Sequence, residues 1–104
     1  MDDFVKVARA TDLEDGEIML VEVGEERILV SKMGGSFYAV GELCTHALGP
    51  LSDGYVEGQQ VECPWHGSRF DLQTGEATNP PATKPLRHYA VRVEDDDILV
   101  GPSD

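Results

Sequence analysis

An antiparallel all-β fold is what this 104-residue sequence predicts, on three observations. Short β-branched or alternating runs recur along the chain, turn residues separate them, and helical periodicity is nearly absent. Phe4-Val5-Lys6-Val7-Ala8 reads as a first strand. Thr11-Asp12-Leu13-Glu14 has the T-x-x-E form of a capping box, but Gly16 follows so soon that one helical turn is the limit. Glu17 to Val23 and Arg27 to Lys32 pair across Gly24-Glu25-Glu26, and Ser36 to Val40 returns after Met33-Gly34-Gly35, completing a meander. Ser68 to Leu72 is a further strand, closed by Gln73-Thr74-Gly75-Glu76. The loop Asn79-Pro80-Pro81-Ala82 then leads to a final hairpin, His88 to Glu94 and Ile98 to Val100, around Asp95-Asp96-Asp97.

The stretch from about Leu43 to Phe70 differs in kind, being rich in Gly, Pro and single Cys and His residues and poor in apolar alternation. It reads as a small subdomain inserted between strands of a β base made of residues 1–42 and 71–104, the whole forming one domain. There is no internal repeat and no linker. A chain of this length has no room for a second catalytic domain.

Composition narrows the function. Twenty acidic and eight basic residues give a formal net charge of −12, which argues against nucleic acid or an anionic membrane as partner. Two readings of that charge stand side by side: plain solubility, and steering toward basic patches on partner proteins. Met1-Asp2-Asp3-Phe4-Val5-Lys6 lacks the basic-then-apolar pattern of a leader, and no stretch is long and apolar enough to cross a bilayer. The expectation is a soluble, unprocessed, cytoplasmic protein.

Both cysteines and two of the three histidines fall in two short motifs, Cys44-Thr45-His46 and Cys63-Pro64-Trp65-His66, with 16 residues between His46 and Cys63. Each pair is too tight to enclose a metal alone, so the intervening chain must fold back and bring two loops around a shared centre. A disulfide is the plain alternative for two cysteines, but nothing suggests secretion and each cysteine has a histidine at ligand spacing. A tetrahedral zinc site is the other alternative. Zinc fingers favour a C-x2–4-C unit followed by H-x3–5-H, whereas here each loop supplies one cysteine and one histidine.

The two motifs, with Gly67-Ser68 following the second, resemble the Rieske [2Fe–2S] family, and within it the ferredoxins that serve bacterial aromatic-ring dioxygenases. The resemblance spans nearly the whole chain. It implies a Rieske-like β sandwich or barrel base, and one [2Fe–2S] cluster with Cys44 and Cys63 on the inner iron and His46 and His66 on the outer iron. It also implies histidine ligation through Nδ1, with Nε2 left to face solvent or a partner. Thiolates stabilise ferric iron strongly, whereas neutral imidazoles remove negative charge from one iron and ease its reduction, so the electron is expected on the histidine side.

Departures from the respiratory branch sharpen this expectation. That branch has an extra cysteine in each ligand loop and a tyrosine hydroxyl near a ligand sulfur. Here Trp65 and the Ala47-Leu48-Gly49-Pro50 stretch carry no such cysteine, and Phe70 stands in the tyrosine's place, while Ser68 is retained. Fewer donors to sulfur lower the potential, toward the lower part of the roughly −150 to +300 mV Rieske range. Gly49 and Gly67 are candidates for close backbone approach to sulfur, or simple loop glycines. Trp65 reads as packing over the cluster loop in preference to a direct electron-transfer role, Pro80-Pro81 resembles the family's shielding third loop with a plain turn as the alternative, and His88 reads as structural or surface.

The implied function is one-electron transfer from an NAD(P)H-dependent flavoprotein reductase to a terminal aromatic-ring oxygenase, by a monomer making transient contacts and catalysing no bond chemistry itself. An electron-transfer subunit of a larger oxygenase or nitrite reductase complex is the runner-up. A catalytic oxygenase would need a mononuclear iron with two further histidines and a carboxylate, and only His88 remains.

Overall fold

Ten strands build two antiparallel sheets in the computed structural model, which describes residues 4–42, 50–64, 67–79 and 85–103. The larger sheet contains β1 (Val5–Arg9), β2 (Ile18–Val23), β3 (Glu26–Met33), β4 (Ser36–Gly41), β9 (His88–Glu94) and β10 (Asp97–Ser103), in the order β1-β10-β9-β4-β3-β2. Its outermost strands, β1 and β2, approach one another, so the sheet nearly closes into a barrel. The smaller sheet contains β5 (Tyr55–Glu57), β6 (Gln60–Glu62), β7 (Arg69–Asp71) and β8 (Ala77–Asn79), in simple sequence order. Among the described residues the only helical pieces are 3-10 turns at Ala10–Asp12 and Leu51–Asp53.

The residues of β3 explain how two cores are arranged. Its centre, Ile28-Leu29-Val30-Ser31, is buried at every position rather than at alternate ones, as expected for a strand covered on both faces. Ile28 and Val30 turn into a core inside the curled large sheet, with Ala8, Leu13, Val21, Ala39, Tyr89, Ile98 and Val100. Leu29 and Met33, with Val40 of β4, face the other way and pack against Leu51, Val61, Cys63, Phe70, Leu72 and Leu86. The second core therefore joins the small sheet and its flanking segments to the base.

The expected meander is present, with three adjustments. The β2–β3 connection is only Gly24-Glu25, because Glu26 already pairs with Val23. Likewise Asp97 pairs with Glu94, leaving Asp95-Asp96 as a two-residue turn with positive φ at both positions, 50° and 69°. That is the type I′ pattern, whose twist matches the flanking strands. Near Thr11 one short turn forms as expected, but the capping acceptor is Asp12, whose Oδ2 accepts the Arg9 N–H at 2.9 Å. Thr11 and Glu14 do not form the anticipated box. Glu14 instead donates its N–H to Glu17 Oε1 at 2.7 Å.

The larger difference lies between 55 and 79. Sequence alternation there is too short to register, yet Tyr55–Glu57 and Gln60–Glu62 form a hairpin, and Ala77–Asn79 adds a strand beyond β7. The Ser68-to-Leu72 strand is trimmed to Arg69–Asp71, since Asp71 closes a turn, its Oδ1 accepting the Gln73 N–H at 2.7 Å and its carbonyl the Gly75 N–H at 2.7 Å. The small sheet, whose β6 leads directly into Cys63, thus runs past position 70 to Asn79.

Candidate metal centre

Three segments converge on the core between the two sheets, and each is closed at its neck by a backbone hydrogen bond. At the first, the Leu51 N–H donates to the Glu42 carbonyl at 2.9 Å. At the second, the Cys63 N–H donates to the Ser68 carbonyl at 2.7 Å. At the third, the Leu86 N–H donates to the Gly75 carbonyl at 2.7 Å. Leu51, Cys63 and Leu86 all belong to the same buried cluster, so the three necks share one floor.

Of the four expected ligands, Cys63 is the one the structure describes. It follows β6 directly and is 1% exposed. Cys44, His46 and His66 lie outside the described residues, as do Gly49, Trp65 and Pro80-Pro81. Among the described residues no three His, Cys, Asp or Glu side chains converge as a metal-binding group. A buried thiol at the mouth of a four-residue loop, walled by apolar residues, suits a soft, low-solvent ligand position. Gly67 holds a positive φ of 74°, which lets the chain turn within that loop and return to Ser68. Ser68 is fully buried, and Phe70 fills the core beneath.

Geometry also explains how the first and second segments are brought together. Between Leu51–Asp53 and β5 stands Gly54, where an added Cβ would overlap the Glu62 carbonyl oxygen. Glycine is required there by space, since its φ of −85° is ordinary. The close approach seats β5 against β6 so that Tyr55 pairs with Glu62, the residue before Cys63. On the other side Glu62 pairs with Arg69, and the Arg69 Nε–Glu62 Oε1 distance is 3.0 Å. This half-exposed pair ties the two strands flanking the Cys63 loop, at a modest gain of about 1 kcal/mol or less.

Sequence reasoning passed over Glu42. It is almost wholly buried, it precedes the first motif by two residues, and its side chain accepts the Ser52 N–H at 2.7 Å. A single glutamate in a chain with so many acids carries no signal by itself; burial is what distinguishes it. His88, as expected, begins a strand, pairing with Val40.

His88 also borders a cleft of about 890 Å³ with Glu26, Glu42, Leu86, Arg87 and Tyr89, which Cys63 does not line. Within it Glu26 Oε1 accepts from Arg87 Nη1 at 2.6 Å and from the Tyr89 hydroxyl at 3.2 Å. Burial first, and then the Glu26 carboxylate, push the Tyr89 phenol above the usual tyrosine range. The hydrogen bond from Arg87 to Glu26 likewise raises the guanidinium above its ordinary value.

Comparison with known proteins agrees with this arrangement. A model of the Rieske [2Fe–2S] domain matches residues 3–90. The ferredoxin component of biphenyl 2,3-dioxygenase from Rhodococcus jostii (strain RHA1) is 44% identical over 95 residues, covering 91% of this chain and 89% of that one. The solved ferredoxin of carbazole 1,9a-dioxygenase from Nocardioides aromaticivorans IC177 superposes with a TM-score of 0.89 at 38% identity, over 95% of this chain and 97% of that one. A solved complex of reduced oxygenase and oxidised ferredoxin in carbazole 1,9a-dioxygenase matches with a TM-score of 0.90 at 35% identity, over 97% and 94% of the two chains. With the barrel-like base, the buried cysteine and a family match across most of its length, this chain belongs to the Rieske [2Fe–2S] domain family.

Proposed function

We propose that this protein is the ferredoxin component of an aromatic-ring dioxygenase system, carrying single electrons from an NAD(P)H-dependent flavoprotein reductase to a terminal oxygenase. The observation that carries the reading is end-to-end similarity to dioxygenase ferredoxin components: the chain covers nine-tenths of such a relative, which leaves little of either unmatched. A ferredoxin also appears in complex with its oxygenase in one of the similar structures.

Cys44 and Cys63 would hold the inner iron, and His46 and His66 the outer. The cluster, when bound, supplies a one-electron redox couple. The chain's own contribution is to bury the Cys63 thiol, brace its loop through Ser68 and the Glu62–Arg69 pair, and exclude water with Leu51, Phe70 and Leu86. The ligand-binding subdomain is taken as about residues 43–70, on a base of residues 1–42 and 71–104; the small sheet continues beyond it to Asn79. The protein is assigned to the cytosol, where thiols stay reduced, as a monomer making small, transient interfaces.

Purified protein should contain about two iron and two sulfide per chain. Its visible absorbance should bleach on addition of reductase and NAD(P)H under anaerobic conditions and return on mixing with oxidised oxygenase. A colourless protein with one zinc and no sulfide would end the reading. Replacing His66 by Cys should lower the midpoint potential and alter the EPR signal, because a thiolate restores negative charge to the outer iron. An unchanged potential and EPR signal would remove His66 from the ligand set.

A further inference from the structure

Glu42 is 1% exposed, one of three buried polar residues among those described. Burying a carboxylate is costly unless hydrogen bonds replace its water, and a leucine would fill the same space without that cost. What the glutamate does is visible in its partners. Its N–H donates to the Arg27 carbonyl of β3 at 3.2 Å, and its carbonyl accepts the Leu51 N–H at 2.9 Å. Its side-chain Oε1 accepts the Ser52 N–H at 2.7 Å.

Ser52 sits in the short 3-10 turn Leu51–Asp53, whose preceding residue is Pro50. The first N–H groups of any helical turn lack internal acceptors, and the residue before the turn ordinarily supplies one from its side chain. Pro50 accepts the Asp53 N–H through its carbonyl at 3.0 Å, but its side chain has no acceptor and forms no cap. Glu42 takes that role from across the loop, which joins the two ends of segment 43–50 twice, once through backbone and once through a charge-assisted bond. The bond between the Glu42 N–H and Arg27 then fixes the doubly closed neck to the base.

We infer that Glu42 is a positioning residue for the first ligand loop, a capping group delivered from across the loop that sets the direction in which the chain leaves β4 toward Cys44. This rests on the reading that Cys44 and His46 are cluster ligands. A single backbone bond holds Glu42 and Leu51 at one point; the second bond, from the Ser52 N–H, fixes how the end of β4 and the Leu51–Asp53 turn are oriented to each other. Glu42→Ala loses the acceptor, whereas Glu42→Gln keeps a carbonyl oxygen in the same place.

The experiment compares wild type, E42A and E42Q for loss of visible absorbance in excess chelator, for the EPR g values of the reduced protein, and for thermal unfolding. E42A should lose its cluster at least tenfold faster than wild type and show shifted or broadened g values, with E42Q restored to within about threefold of wild type. If E42A does not accumulate as folded protein by circular dichroism, Ser52→Pro, which removes the donor and leaves Glu42 in place, carries the test with the same expected result. Wild-type cluster retention and g values in E42A or S52P, or an E42Q as defective as E42A, would overturn the inference alone. Absence of a cluster from the wild-type protein would overturn the ligand reading beneath it.

Discussion

The two sheets stand on different footings. Strands of the base run five to eight residues, turn tightly and enclose a core of their own. Strands of the small sheet are three residues each, and their buried residues face the base. Three-residue strands bury too little to stand alone in water. The small sheet therefore exists because Val61, Phe70 and Leu72 find Leu29, Met33 and Val40 waiting on the outer face of β3 and β4. Double-sided burial of β3 and β4 is the device that lets a stable barrel carry a segment made mostly of loops.

The greatest effect is expected where the two sheets meet. Phe70→Ala should cost about 3–5 kcal/mol, the sum of lost burial and the cavity left behind. A domain of this size has only about 5–15 kcal/mol of stability in all. Chemical denaturation should show that loss, and the small sheet should lose amide protection before the base does. Uniform loss of protection across both sheets would mean they form one cooperative unit and the comparison fails.

Gly54→Ala comes next, at about 1–3 kcal/mol for overpacking, since the new methyl meets the Glu62 carbonyl and β5 must move away. Amide exchange at Glu57 and Gln60 should quicken, with β9 and β10 unaffected. An alanine variant of wild-type stability would show that β5 is not held by that close approach.

In the base, Tyr89 offers a pH test. Its phenol is pushed above the usual value near 10, so the folded state favours the protonated form. The stability this contributes is complete below pH 10 and is lost as pH rises through the raised folded value. Tyr89→Phe should cost about 1 kcal/mol at neutral pH through the lost bond to Glu26, and should flatten the decline in melting temperature above pH 10. An unaltered alkaline decline would assign it to other groups.

The smallest effect has the opposite sign. Asp95 and Asp96 both adopt positive φ without glycine, and a type I′ turn favours Asp-Gly. Asp96→Gly relieves the left-handed penalty and one repulsive charge, offset by greater entropy in the unfolded chain. A net gain of about 0.5 kcal/mol should appear as a slightly higher melting temperature. A loss would mean that the base turns are held by contacts rather than by local geometry.

Legibility follows the same division between sheets. Strands of the base were readable because β2, β3, β4, β9 and β10 are long enough for alternation or a continuous apolar run to show, and their turns carry Gly or Asp. The β5–β6 hairpin and β8 were not, since three residues cannot display a period and Tyr55-Val56-Glu57 resembles any loop. Near the proposed site, Cys63 was singled out by its spacing to His66, whereas Glu42 needed coordinates, because nothing local separates it from nineteen other acids.

By itself the sequence determined the all-β class, the two cysteine–histidine motifs and the family to which they point. Those features rest on residue type and short spacing, which are local. Only the tertiary structure decided that Leu51, Cys63 and Leu86 share one floor, that Gly54 must be glycine for lack of space, and that Glu42 caps a turn it does not precede. Each of these depends on segments distant in sequence meeting across the second core. That meeting follows from burying the outer face of β3 and β4, and although the continuous apolar run of β3 signals two-sided burial, no local pattern names the distant segments that supply it.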